Sequence, residues 1–135
     1  MDFAAKAENP TGWVLWQNKH VQTGLAYTNS EILARMARHK PSIVAIDAPL
    51  SLPKEGLFRK GDREMLRRGL RVFPPGFHAM RTLTLRAMKL DKLIAQEGYK
   101  TIEVHPTSTR KTLGMPAKTW KEIQTILSQI GIEGD

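Results

Sequence analysis

Ile43-Val44-Ala45-Ile46 is an unbroken apolar run that ends on Asp47 and leads straight into Ala48-Pro49-Leu50-Ser51-Leu52-Pro53. Three of its four residues are β-branched, and such a run without polar alternation suits a strand covered on both faces. The prolines behind it have no N–H to give to a ladder, so the strand must stop near Asp47. A covered strand of this kind belongs to a layered α/β fold, with helices packed on a largely parallel sheet.

The flanking segments supply the partners. Asp2-Phe3-Ala4 opens the chain without a helix start and reads as a first strand. Gly12 to Gln17 and His20 to Ala26 read as two more, joined by the short turn Asn18-Lys19. Asn29 or Ser30 caps a helix with Ile32, Leu33, Met36 and Ala37 on its apolar stripe, ended by Pro41. Ser42 to Asp47 is the fourth strand. Asp62 is suited to cap a short helix through Arg68. A long helix over about Phe77 to Glu97 carries Met80, Leu83, Ala87, Leu90 and Ile94 at helical spacing. Lys100 to His105 is the fifth strand, stopped by Pro106. Thr119 with Glu122 forms a capping box for a last helix through Ile130.

Opening strands joined by short turns are antiparallel neighbours, and strands separated by helices run parallel through right-handed crossovers. The expected fold is therefore a single α/β domain over residues 1–135, with a mixed five-stranded sheet and helices on both faces. With only Met1 before Asp2, the first strand is expected to be short. Apolar surface left uncovered at the two ends would suit a homodimer.

Composition narrows the chemistry. The chain has no cysteine, which excludes disulfides, thiolate metal sites and a cysteine nucleophile, and suits a cytoplasmic protein. No apolar run approaches the roughly 20 residues of a membrane span. The net charge of +8 is unevenly placed. Residues 54–92 hold 11 Lys or Arg against 4 Asp or Glu, while the segments on either side are close to balanced. Arg59, Arg63, Arg67, Arg68, Arg71 and Arg81 are the candidate contacts to a phosphate backbone, the alternative being a solvated face.

The acids give the candidate centre. Asp2 lies on the first strand, Asp47 ends the fourth, and Glu103 stands on the fifth with His105 two residues on. If those strands are neighbours, the carboxylates converge. Hard oxygen ligands of this type suit Mg²⁺ or Mn²⁺, and metal ions held by carboxylates can activate water for phosphodiester cleavage. His105 is read as a base beside them, as a metal ligand or as a strand-end hydrogen-bonding residue. Solvation would account for Asp2 or Glu103 taken singly, but packing explains Asp47 poorly.

Several segments carry a resemblance. They are Asp2-Phe3-Ala4 with Asn9-Pro10-Thr11-Gly12-Trp13, and Val44-Ala45-Ile46-Asp47-Ala48-Pro49-Leu50. Asp62-Arg63-Glu64, Arg67-Arg68-Gly69-Leu70-Arg71-Val72-Phe73-Pro74-Pro75 and Ile102-Glu103-Val104-His105-Pro106 follow in order. Together they resemble an uncharacterised family of predicted nucleases with a ribonuclease-H-like fold, domain of unknown function 429. The resemblance implies a ribonuclease-H-like sheet, with Asp2, Asp47 and Glu103 as the acids. It places the family's basic motif on Arg59, Asp62, Arg63, Arg68 and Arg71. It also implies a further helix with another acid, which Gly131 to Asp135 do not supply.

Three functions remain open at this point. One is a Mg²⁺- or Mn²⁺-dependent nuclease. The second is a nucleic-acid or polyanion binder without catalysis. The third, a phosphate-handling enzyme of small molecules, is weakened because neither G-x-x-x-x-G-K-[ST] nor G-x-G-x-x-G occurs.

Overall fold

The computed structural model describes residues 1–115 and 118–134. Strands β1 (Thr11–Gln17) and β2 (His20–Ala26) form an antiparallel hairpin, in which Thr11 faces Ala26 and Gln17 faces His20. Asn18, at φ 57°, takes the left-handed turn conformation between them, one that Asn tolerates better than most residues. Helix α1 (Asn29–His39) follows. Its cap is Thr28, whose hydroxyl accepts from the Glu31 N–H, one position before the expected Asn29.

Strand β3 (Val44–Ile46) pairs in parallel with β4 (Thr101–Glu103), Ile46 facing Glu103. Between them in the chain lie α2 (Lys60–Arg67) and α3 (His78–Gln96). Helix α4 (Pro106–Thr112) follows β4, α5 (Trp120–Gln129) opens at the Thr119–Glu122 capping box, and β5 (Glu133–Gly134) adds in parallel to β2.

The architecture is mixed α/β, but the expected five-stranded sheet is replaced by two smaller ones. One is a three-stranded mixed sheet in the order β1-β2-β5, the other the parallel pair β3-β4. Asp2 is no strand. It forms two isolated bridges, antiparallel to Gly12 and parallel to Asp47, and so ties the two sheets together at one residue. Its pairing is confined to those two bridges, with Met1 and Asp2 making the backbone bonds to β3 and β1.

One hydrophobic core lies beneath this junction. Phe3, Ile32, Met36, Val44, Ile46, Ala87, Leu90 and Ile94 are its main members. Thr84, Ala87, Leu90 and Ile94 recur at 3- and 4-residue steps along α3, the spacing of a buried helix stripe. Covering of both sheet faces is not met on β1, where Val14 and Trp16 are 57% and 64% exposed. Among the described residues no helix is long and apolar enough to cross a membrane.

Candidate active site

Backbone pairing builds the site from its middle. The Asp2 N–H donates to the Gly12 carbonyl at 2.9 Å and the Gly12 N–H returns to Asp2 at 3.0 Å. The Asp47 N–H donates to the Met1 carbonyl at 2.8 Å. These bonds set Asp2 and Asp47 side by side where β3 ends, outside the carboxyl edge of the parallel strands. Such edges are where ligands bind in open α/β sheets.

Asp47 is the perturbed group. Partial burial pushes its carboxyl above the ordinary range, and the neighbouring Asp2 carboxylate pushes it further. His105, the Met1 ammonium and Arg110 pull it back. The same burial holds the Met1 ammonium below its usual value, against the attraction of Asp47 and Asp2. That ammonium donates to the Ala45 carbonyl at 2.7 Å.

His105 caps α4. Its Nδ1 lies 2.6 Å from Ser108 Oγ and 3.3 Å from the Ser108 backbone N–H. The side chain so placed caps the first turn of α4. Pro106, at the first helical position, fits because no N–H is needed there. The sequence signal for this helix is the run His105-Pro106-Thr107-Ser108, a capping residue followed by proline. Without that helix, the sequence gives no reason to place Arg110 in the field of Asp47.

Glu103 stands apart from this group. Its Oε1 accepts from Arg59 Nη2 at 2.6 Å, and its Oε2 accepts from Arg59 Nη1 at 2.8 Å and from the Leu50 N–H at 2.9 Å. The other side of the same guanidinium holds Asp62, with Nε to Oδ2 at 2.9 Å and Nη2 to Oδ1 at 2.7 Å. Nη1 also reaches Ser51 Oγ at 3.2 Å. All five donors of Arg59 are thus engaged, and the two acids hold its proton more tightly than that of an ordinary arginine, Glu103 contributing most. Burial works against ionisation of Asp62, but the bonds from Arg59 outweigh it and its carboxyl titrates low. Asp62 also accepts the Arg59 N–H at 2.8 Å, which makes it the third-position partner of the α2 cap rather than the cap itself.

The expected convergence of three acids is therefore met for Asp2 and Asp47, with His105 and Arg110 beside them, and not for Glu103. Among the described residues no group of three His, Cys, Asp or Glu side chains is placed to hold one metal ion.

The basic candidates divide as well. Arg59 is enclosed by acids. Arg63 donates to the Phe58 carbonyl at 2.8 Å. Arg67 and Arg68 share Glu64 at 3.6 and 2.9 Å in exposed pairs. Arg71 and Arg81 are exposed. Asp135, part of the expectation about the chain's last residues, lies outside the described residues.

The fold and this site define a mixed α/β protein with an acid pair at the end of a short parallel sheet. The chain belongs to the family described as a protein of unknown function (DUF429), whose profile matches residues 1–122. No curated protein and no solved structure matches it.

Proposed function

We propose that this protein is a nuclease-like phosphodiesterase that holds nucleic acid along its basic segment and works on it at Asp47. The observation that carries the reading is the state of Asp47: a half-buried carboxyl pushed up by burial and by Asp2, within the field of His105 and Arg110. Acids perturbed by burial together with a charged neighbour collect at functional sites. The ribonuclease-H-like resemblance points to the same residues.

The resemblance implies Mg²⁺ or Mn²⁺. Asp47, its proton affinity raised by burial and by the neighbouring Asp2 carboxylate, forms with Asp2 a donor pair that a hard cation relieves. Mg²⁺ is commonly held by one or two carboxylates together with substrate phosphates. Asp2 and Asp47 fit that role, and Glu103, bonded to Arg59, does not join them. When bound, the ion supplies charge stabilisation at the phosphate and an acidified water. The chain's own part is to hold the acids through the Met1 and Asp2 backbone bonds. His105 and Arg110 add positive charge beside the site.

The test is cleavage of single-stranded, duplex and hybrid oligonucleotides with either metal, by wild type and by Asp47→Asn. Cleavage that persists at wild-type level in Asp47→Asn removes the centre. One observation favours a second reading, binding without cleavage: Glu103 is neutralised by Arg59 instead of facing the acid pair. That reading expects salt-sensitive binding that neither metal nor Asp47→Asn alters.

A further inference from the structure

Two phenylalanines stand on the surface at either side of Pro74-Pro75-Gly76, the turn between α2 and α3. Phe73 is 74% exposed and Phe77 54%. The backbone between them is fixed. Two prolines set their own φ angles, and Pro75 is fully buried. The Phe77 N–H donates to the Pro74 carbonyl at 3.0 Å, and the Gly76 N–H donates to the Leu57 carbonyl at 2.9 Å. Gly76 packs so closely that a Cβ there would lie 2.6 Å from the Gly56 carbonyl oxygen. Pro75 thus anchors the turn, and the two rings are left in water.

The charge along this stretch has one sign. Residues 65–90 contain Arg67, Arg68, Arg71, Arg81, Arg86 and Lys89 and no Asp or Glu. Arg71, two residues before Phe73, is exposed. Arg81 is exposed as well and lies one helical turn beyond Phe77, its N–H bonded to the Phe77 carbonyl at 2.9 Å.

The turn is also joined to the acid pair from two directions. Lys111 of α4 donates to the carbonyl of Gly69, just past α2, at 2.7 Å. The residue before it, Arg110, is the one whose charge acts on Asp47. From the other side, the loop that leaves Asp47 reaches Gly76 through the Leu57 carbonyl.

We infer that this turn is a stacking platform for the bases of single-stranded nucleic acid, with Phe73 and Phe77 taking base faces and Arg71 and Arg81 the adjoining phosphates. The inference rests on the phosphodiesterase reading above and names the form of its substrate. Aromatic rings among cations suit a single strand, because every base has a π-face and every link an anionic phosphate. Bases in a duplex are stacked on one another, so a duplex engages the cations alone. Because the turn is already rigid, binding costs little further ordering of the platform.

Binding is read by fluorescence anisotropy at low salt in the presence of chelator, so that no strand is cut. The probes are a labelled oligothymidylate and an oligomer of the same length built of abasic units. Oligothymidylate binds about tenfold tighter or more, since only it can stack. Phe73→Leu and Phe77→Leu keep an apolar side chain without a ring, and each weakens oligothymidylate binding about fivefold or more. They leave the affinity of the abasic oligomer and the salt slope unchanged, because no charge is removed. Phe73→Tyr and Phe77→Tyr retain wild-type affinity. The inference is overturned if the two oligomers bind alike or if the Leu variants bind as wild type does; the reading of Asp47 then stands on its own cleavage test. If neither oligomer binds, the inference and the nucleic-acid reading fall together. The inference is also overturned if light scattering shows a dimer that the Leu variants separate, which would make a second copy the cover of the rings.

Discussion

Arg59 and Glu103 are 44 residues apart in the chain and meet through two parallel hydrogen bonds of 2.6 and 2.8 Å. The same guanidinium grips Asp62 from its other edge, so one side chain ties the start of α2 to the end of β4. Arg59 and Asp62 side chains are 18% and 5% exposed, so the charges are shielded enough for pairing to matter. Removing the cation leaves an uncompensated carboxylate, which costs about 3 kcal/mol in a buried pair. We expect Arg59→Met to lower stability by that order in urea titrations and to reduce Tm by about 10 °C. Arg59→Lys recovers little, because a point charge cannot replace five donors in a plane. A Met variant as stable as wild type would reduce the clamp to an ordinary surface pair.

Asp47 carries the opposite sign. Its carboxyl titrates higher in the folded chain than in the unfolded one. Between those two midpoints the folded state holds more protons, so stability falls as pH rises through that window. Below the unfolded midpoint both states are neutral at this position and the penalty is absent. Asp47→Asn is therefore expected to raise Tm at neutral pH in the presence of chelator, with the gain gone near about pH 3. Added Mn²⁺ reverses the order at neutral pH. At about 100 times its Kd a ligand adds about 2.7 kcal/mol to the protein that binds it, and the Asn variant forgoes that gain. Scanning calorimetry of both proteins across pH, with and without Mn²⁺, checks both halves.

Much of this fold is legible residue by residue. The β1–β2 hairpin follows from two apolar-bearing strands around Asn18-Lys19, and α5 from the Thr119–Glu122 capping box. These are local signals, each complete within a few residues. The sheet is not legible in the same way, because Asp2 holds its position through single bridges to Gly12 and Asp47 and not through a strand of its own. Helix α4 has only 7 residues and no apolar stripe, so periodicity has nothing to register. In the site, Asp47 is marked by the strand it ends. The fate of Glu103 depends on Arg59, and no local pattern announces a partner that distant.

Gly24 lies against the Trp13 indole. A Cβ there would sit 2.5 to 2.9 Å from the ring, closer than side chains approach one another. Arg35 also lies over this ring, its guanidinium carbon 4.6 Å from the ring centre. We expect Gly24→Ala to cost about 1–3 kcal/mol through overpacking against the indole. Chemical denaturation followed by tryptophan fluorescence measures the loss, and a native emission shift reports displacement of Trp13. An unchanged midpoint would mean that the indole repacks freely.

The basic segment separates into cations bonded to the protein's own backbone and cations exposed to solvent. Arg86 belongs to the first kind. It donates to the carbonyls of Ala4 and Tyr27 at 2.5 and 2.7 Å and lies 4.7 Å from the centre of the Phe3 ring. Arg67 and Arg68 belong to the second, with side chains 78% and 71% exposed and one shared acid. Each duplex phosphate that the protein neutralises adds about 0.9 to the steepness of log K against log salt. Replacing Arg67 and Arg68 with Gln is therefore expected to flatten that slope by up to about 1.8, while leaving Tm nearly unchanged. Arg86→Gln should do the reverse, lowering Tm while the slope stays as in wild type. Fluorescence anisotropy of a labelled duplex across a salt series, paired with thermal melts, reads both quantities. A slope insensitive to Arg67 and Arg68 would move the nucleic-acid surface off α2.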